Sequence, residues 1–299
     1  MKAIEQYGNA KLIIVDHGST DGSYELLVGE YSGSAEIFRI EGGTVAFLRN
    51  EGARHSTADY LSFTDSDMLV DPDYLQSAAA LFDSIGTDVI VAAFGVPPSS
   101  TWIAKAWNRL HWSVPDGFTN LYGGTFMIKR PAFVDVGGFN TDLITDEDTD
   151  LGSRLNRAGY KTYRSASFAC VHLGEPQTLG AFVRRQAWHG LGMFTDSGMN
   201  KPLLMTILHL VLSVLGVVST IVTSMGVIDS IFVLILSSLA VPAVTVAYRF
   251  YRIKAIMQPV RSLLLYYLYY SARIISMFRF VLMRLHRKPP AQYSPRSRV

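Results

Sequence analysis

The chain has 299 residues and near-balanced charge, 27 Lys plus Arg against 25 Asp plus Glu, with 49% hydrophobic and only 17% charged residues. Low charge with 12% aromatics excludes a disordered chain, and a single cysteine, Cys170, excludes an intrachain disulfide framework or a Cys-rich zinc site. The net charge of +2 hides a division: residues 1–200 carry 15 basic and 24 acidic side chains (−9), residues 201–299 carry 12 and 1 (+11), which points to two environments.

The start, MKAIEQYGNA, lacks the long apolar region of a cleavable signal peptide and reads as the end of a helix running into a strand. Lys11 to Val15 is a short apolar strand ending at Asp16. The turn residues of VDHGSTDGS follow, with Ser19 or Thr20 placed to cap the next helix. Tyr60 to Thr64 is a second strand, ending at Asp65. The turn Asp65-Ser66-Asp67 sets carboxylates at i and i+2, a spacing that grips a hard divalent cation and so offsets a diphosphate leaving group. The same turn also reads as a solvated acidic turn capping the helix after Pro72. A phosphatase nucleophile of the haloacid dehalogenase type is disfavoured, because Leu69 stands where that family expects Thr or Val.

Pro72 to Ile85 repeats Tyr74, Leu75, Ala78, Leu81 and Phe82 at helical spacing, and Val89 to Phe94 is a strand ending at Gly95. The stretch from Phe94 to Tyr122 holds Trp102, Trp107 and Trp112, an aromatic platform for an acceptor or a membrane-facing surface. Asp146, Glu147, Asp148 and Asp150 crowd four acids into five residues. Such a cluster either raises one carboxylate toward general-base use or forms the acidic first turn of a helix that buries Leu151 and Leu155. Cys170 is expected as a buried strand residue. Strands alternating with helices predict an α/β layered sheet with ligands beyond the strands' carboxyl ends, which puts Asp16 and Asp65 on one rim.

Leu203 to Met225 is uncharged and long enough to cross a bilayer, as is the stretch from about 228 to 248 despite Pro242. Their short link predicts a transmembrane hairpin. The basic loop after it, with Arg249, Arg252, Lys254 and Arg261, places that side and residues 1–200 in the cytoplasm. Residues 263–285 are apolar but carry Arg273, Arg279 and Arg284, so an interfacial amphipathic helix is favoured over a third span. The expected organisation is 1–200 catalytic, 201–288 membrane region and 289–299 a basic disordered tail, with no nucleic-acid partner.

The motifs in order resemble family 2 glycosyltransferases, the inverting enzymes of GT-A fold. VDHGSTDGS is similar to that family's VDDGSTDGT, Arg49-Asn50-Glu51-Gly52 to its ARNxG, and YLSFTDSD to its YIAFLDSD. Gly123-Gly124-Thr125-Phe126 with Val136-Gly137-Gly138-Phe139 resembles GGTFAIRR…VGGFDE, and EDTDLGSRLNRAGY resembles EDxDLxxRLRRAGY. The resemblance covers about residues 1–195. It implies a nucleotide-sugar transferase of polysaccharide biosynthesis at the inner membrane, using Mg²⁺ or Mn²⁺. Asp16, Arg49, Asp65, Gly123 and Gly124 would bind the donor, most simply a UDP-sugar. Asp67, with Asp65 and His172, would hold the metal. Asp148 would be the general base, and Glu147, Trp188 and Arg185 would lie toward a lipid-linked or glycan acceptor. Three departures from the family pattern stand out. The family's opening strand and most of its first helix are missing, His17 replaces a common acid or Asn, and RRQAW matches the processive QxxRW poorly. The first suggests a truncated chain, and with it the alternative of an inactive remnant or membrane-bound interaction protein that keeps the fold.

Overall fold

The computed structural model describes residues 2–113, 115–194, 201–223 and 226–285. The chain forms two compact units, Met1–Pro97 with Pro115–Gly174, and Pro98–Val114 with Glu175–Val299.

In the first unit, α1 (Lys2–Tyr7) leads into β1 (Leu12–Asp16), α2 (Ser23–Tyr31), β2 (Ala35–Arg39) and α3 (Val45–Arg54). Then come β3 (Tyr60–Phe63), β4 (Met68–Val70), α4 (Tyr74–Ile85) and β5 (Val89–Gly95). After the insertion α5 (Trp102–Trp112), which belongs to the second unit, the chain returns as β6 (Gly117–Thr119), β7 (Phe126–Lys129), α6 (Arg130–Asp135), α7 (Glu147–Arg157) and β8 (Thr162–His172). The strands expected near 11–15, 60–64 and 89–94 and the helix near 72–85 all form, within two residues of their expected bounds.

The main sheet runs β3-β7-β5-β8-β4, with β6 paired to β8. Only β5 and β8 are parallel; the other pairs are antiparallel. Val89 to Ala92 are fully buried, as suits a central strand covered on both faces. Phe63 packs its ring 5.0–5.2 Å from Phe126, Phe133 and Phe139, and Leu151 and Leu155 of α7 close the same core. Each such side chain contributes about 1.5–3 kcal/mol by leaving water. Cys170 lies buried on β8, and that burial pushes its thiol up to about 12.

β1 and β2 form a separate two-stranded parallel sheet, not hydrogen-bonded to the main one. Helix α3 touches both systems: Gly52 sits against Ile13 and Val15, while Ala46 belongs to the cluster of Leu61 and Phe63. The expected cap at Ser19 or Thr20 is corrected. α2 starts only at Ser23, because the Asp16 carboxylate takes the Ser19 N–H and Gly22 turns the chain at φ 85°.

The second unit contains α5, α8 (Leu179–His189), a 3₁₀ turn (Gly190–Phe194), α9 (Lys201–Val222), α10 (Val227–Ile253) and α11 (Pro259–Leu285). Among the described residues, α9 and α10 are the two helices long and apolar enough to cross a membrane. α10 runs five residues beyond the expected 248 and ends where Lys254 adopts φ 53°. The expected boundary at 200 differs from the observed division, since α5 and α8 group with the C-terminal helices. Ile103, Ala106, Phe182 and Leu265 form one buried cluster, and Trp107 meets Phe182 edge-on at 4.8 Å. Trp102 and Trp107 are thus engaged in packing inside this unit; Arg261 lies 5.2 Å over the Trp102 ring. The proposed tail at 289–299 lies outside the described residues.

Two helical glycines give opposite expectations. A Cβ at Gly152 would stand 2.8 Å from Leu121 Cβ and Leu121 O. Gly152→Ala should therefore destabilise the fold by about 1–3 kcal/mol in chemical denaturation. Gly29, exposed in α2 with nothing within 4 Å of such an atom, should gain about 0.5–1 kcal/mol as Ala.

Candidate active site

The first unit gathers acids from distant segments around one arginine. Arg49 on α3 has a side chain only 13% exposed. Its Nη2 pairs with Asp65, just beyond β3, and its Nη1 lies 2.5 Å from Glu147 Oε1, the first residue of α7. Burial alone would lower the Arg49 pKa, but Asp65, Glu147 and Asp148 together outweigh it and hold the guanidinium more firmly protonated. Glu147 shifts the other way from a free carboxyl in the same field. Desolvation raises its pKa against the opposing pull of Arg49, and Asp148 adds to the rise.

Asp148, the next residue, accepts the backbone N–H of Gly123 on Oδ2 and that of Thr149 on Oδ1 at 2.7 Å. Gly123 has φ 88°, a conformation that favours glycine. At Gly124 a Cβ would collide with the Asp65 carboxylate and come within 2.6 Å of Arg49 Nη2. The two glycines therefore let the backbone lie directly against the charged cluster. Gly152 allows α7 the same closeness to Leu121, which brings the start of α7 up to this loop.

Two further residues fix the frame. Asn50 clamps the backbone of Phe139, donating to its O at 2.8 Å and accepting from its N at 2.9 Å. Arg154 forks onto Asp150 at 2.6 and 2.9 Å and donates to Val136 O and Gly138 O, each at 2.6 Å. The Val136–Phe139 segment is thus held from α3 and from α7 at once. Asp146 precedes α7 at φ 65°, an uncommon conformation for a residue other than glycine, and one that clusters at functional sites.

A second pair stands at the end of β8. Met68 and His172 are register partners in the antiparallel β4–β8 ladder, and the Leu173 N–H donates to Asp67 O at 2.8 Å. His172 Nε2 lies 3.1 Å from Asp67 Oδ2. A Cβ at Gly174 would stand 3.1 Å from Asp67 Cγ and 3.4 Å from His172 Nε2, so glycine there leaves the pair its room. The Asp67 side chain is 45% exposed. A carboxylate oxygen beside an imidazole nitrogen suits a divalent cation that takes its remaining ligands from a phosphate or water. Among the described residues no group of three or more His, Cys, Asp or Glu converges to form a complete protein cage.

Of the residues singled out from sequence, Arg49, Asp65, Glu147, Asp148, Gly123 and Gly124 come together, and Asp67 meets His172. Asp65 turns to Arg49 while Asp67 turns to His172, so the DxD carboxylates have different partners. Asp16 is buried at the end of β1 and holds the Ser19 N–H at 2.8 Å. Arg185 and Trp188 belong to α8 in the second unit, where Arg185 Nη1 lies 3.6 Å from the buried Glu175. Sequence reading missed Gly174, Glu175 and the clamping roles of Asn50 and Arg154. Asn50 and Arg154 lay inside recognised motifs, but only the fold reveals their backbone partners.

Residues 2–137 match the glycosyl transferase family 2 sequence profile, and residues 107–175 match that of the N-terminal domain of galactosyltransferase. The chain is 25% identical over 206 residues to a poly-beta-1,6-N-acetyl-D-glucosamine synthase of Staphylococcus aureus, covering 60% of this chain and 47% of that protein. It is 27% identical over 186 residues to the succinoglycan biosynthesis protein ExoA of Rhizobium meliloti, covering 55% and 54%. The chain spans about half the length of these curated relatives. The fold matches a mannosyltransferase of Pyrobaculum calidifontis, solved in complex with GDP-Man and Mn²⁺, with a TM-score of 0.53 at 18% identity over 91% of this chain and 77% of that one. By its motifs and its profile match over residues 2–137 the chain resembles the family 2 glycosyltransferases, and its fold is the GT-A fold.

Proposed function

We propose that this chain is a membrane-anchored, metal-dependent, inverting glycosyltransferase. It moves one sugar from a nucleotide-diphosphate sugar, UDP-linked, to a hydroxyl of a lipid-linked or glycan acceptor. The observation that carries this reading is the Arg49 cluster, which sets Asp148 and Glu147 against Asp65 and the Gly123–Gly124 backbone.

Asp148 acts as the base. Its carboxylate is held by two backbone N–H groups, which leaves lone pairs to take the proton of an acceptor hydroxyl. As that oxygen bonds to the anomeric carbon from one face, the bond to the diphosphate oxygen breaks on the other, and configuration inverts. Arg49 and Asp65 bind the donor side, the glycine backbone allows its close approach, and Glu147 lines the acceptor side. Asp67 and His172 would hold Mg²⁺ or Mn²⁺, which would supply positive charge to a diphosphate leaving group.

The apolar faces of α9 and α10 support anchoring in a membrane, with much of their Leu, Ile and Val surface exposed. Arg249, Arg252, Lys254 and Arg261 cluster around the end of α10 and the start of α11, which favours a cytoplasmic catalytic unit at the cell's inner membrane. α11 lies outside the two candidate spans, in keeping with an interfacial helix. A second reading, a non-catalytic membrane protein that keeps the fold, rests on one observation: among the described residues β1, which carries Asp16, pairs with β2 alone.

Two results test the enzymatic reading. UDP release from UDP-sugars with Mn²⁺ should fall at least about 100-fold in Asp148→Asn and also drop sharply in Asp67→Ala, with thermal unfolding unchanged. Unaltered rates in both would remove the assigned roles, and no release by the parent chain would favour the second reading. The raised Glu147 pKa has a sign that stability can check. A carboxyl raised on folding stabilises fully below its unfolded value, about 4.3, and loses that contribution as pH climbs through the folded value. Denaturation from about pH 4 upward should therefore show the parent chain losing stability relative to Glu147→Gln; a pH-independent difference would contradict the shift.

A further inference from the structure

Arg39 grips the turn that follows Asp16. β1 and β2 run parallel, with Asp16 and Arg39 as register partners at their carboxyl ends, and the Ile40 N–H donates to Asp16 O at 2.9 Å. After Asp16 the chain passes through residues 17–22, outside any strand or helix, before α2 begins at Ser23. Gly18 and Gly22 take φ 60° and 85° there, and holding glycine-containing backbone in one shape costs more entropy than holding other residues. Both strands fasten this turn at Ser19. The buried Asp16 carboxylate accepts the Ser19 N–H at 2.8 Å, and Arg39 Nη2 donates to Ser19 O at 3.1 Å. Arg39 is itself aimed, with its guanidinium carbon 4.8 Å over the ring of Tyr24 on α2. One exposed side chain therefore joins β2, the turn and α2.

The place of this turn gives the grip a use. In layered α/β sheets a ligand sits beyond the carboxyl ends of parallel strands, which is where Asp16 and Arg39 stand side by side. A carboxylate set in a fastened turn loses less freedom when a ligand meets it, so the same contact gives tighter binding. We propose that Arg39 is a positioning residue for the donor nucleotide, holding the 16–22 turn through Ser19 so that Asp16 meets the uridine of UDP in one orientation. The role is one of recognition, distinct from that of Arg49, which pairs with Asp65 and Glu147. It rests on the reading of Asp16 as a donor contact.

Calorimetric titration of UDP with Mn²⁺ into the full chain tests it on Arg39→Met, Arg39→Lys, Asp16→Ala and the double variant Arg39→Met with Asp16→Ala. Arg39→Met should bind UDP about tenfold more weakly while its thermal unfolding midpoint stays that of the parent chain. Arg39→Lys keeps a cation and a donor and should recover part of the loss, which also covers a poorly folding Met variant. The double variant should bind no more weakly than Asp16→Ala alone, because the turn then has no carboxylate left to place. Fully additive losses would overturn the role, since Arg39 would then act on the nucleotide by a route independent of Asp16. Equal affinity in the parent chain and Arg39→Met would overturn it too, and would leave the donor reading standing wherever Asp16→Ala binds weakly. Parent-like binding by Asp16→Ala would remove the donor contact and this role together, without touching the Asp148 assignment. Absence of UDP binding by the parent chain would remove the UDP reading and this role at once.

Discussion

Arg49 reaches two carboxylates that lie 16 and 98 residues away along the chain, and the geometry around it depends on those reaches. A guanidinium this shielded needs its partners, and removing one from such a pair typically costs about 3–5 kcal/mol. The pairs join α3, the end of β3 and the start of α7 at one point. Asp148 is placed by the same device, because its neighbour Glu147 is one of the anchors and Gly123 supplies it an N–H. Asn50 and Arg154 make the arrangement stiff by gripping the Val136–Phe139 segment from both sides.

Much of this was legible beforehand because chemistry and local pattern coincide. Strand ends at Asp16 and Asp65 follow from short apolar runs that stop at turn residues, and the acidic first turn of α7 follows from helix electrostatics together with Leu151 and Leu155. What was not legible depends on pairing over distance. Periodicity does not say that the DxD carboxylates turn to different partners, or that Gly174 leaves space beside Asp67. The missed domain division has the same origin. α5 looks like part of a catalytic loop in sequence, yet Ile103 and Ala106 bury against Phe182 and Leu265, residues 76 to 162 positions further along the chain.

The charge division between the two halves follows the division of labour. The acidic half carries a net −9, and its Arg49 and Arg154 are already paired with Asp65, Glu147 and Asp150, so it does not attract a diphosphate by net charge. Positive charge at the proposed donor site must come from a few placed groups and a bound cation. The basic half, residues 201–299, holds a single acid against 12 basic side chains.

The central claim is that the Arg49 cluster and the Asp67–His172 pair together form a binding site for a nucleoside diphosphate. Calorimetric titration of UDP into the purified chain, with and without Mn²⁺, addresses it directly when repeated on Arg49→Met and His172→Ala. The account predicts binding that requires Mn²⁺ in the parent chain, weakens at least about tenfold in both variants, and leaves the fold intact in His172→Ala. UDP binding of equal strength with and without metal and in both variants would contradict it.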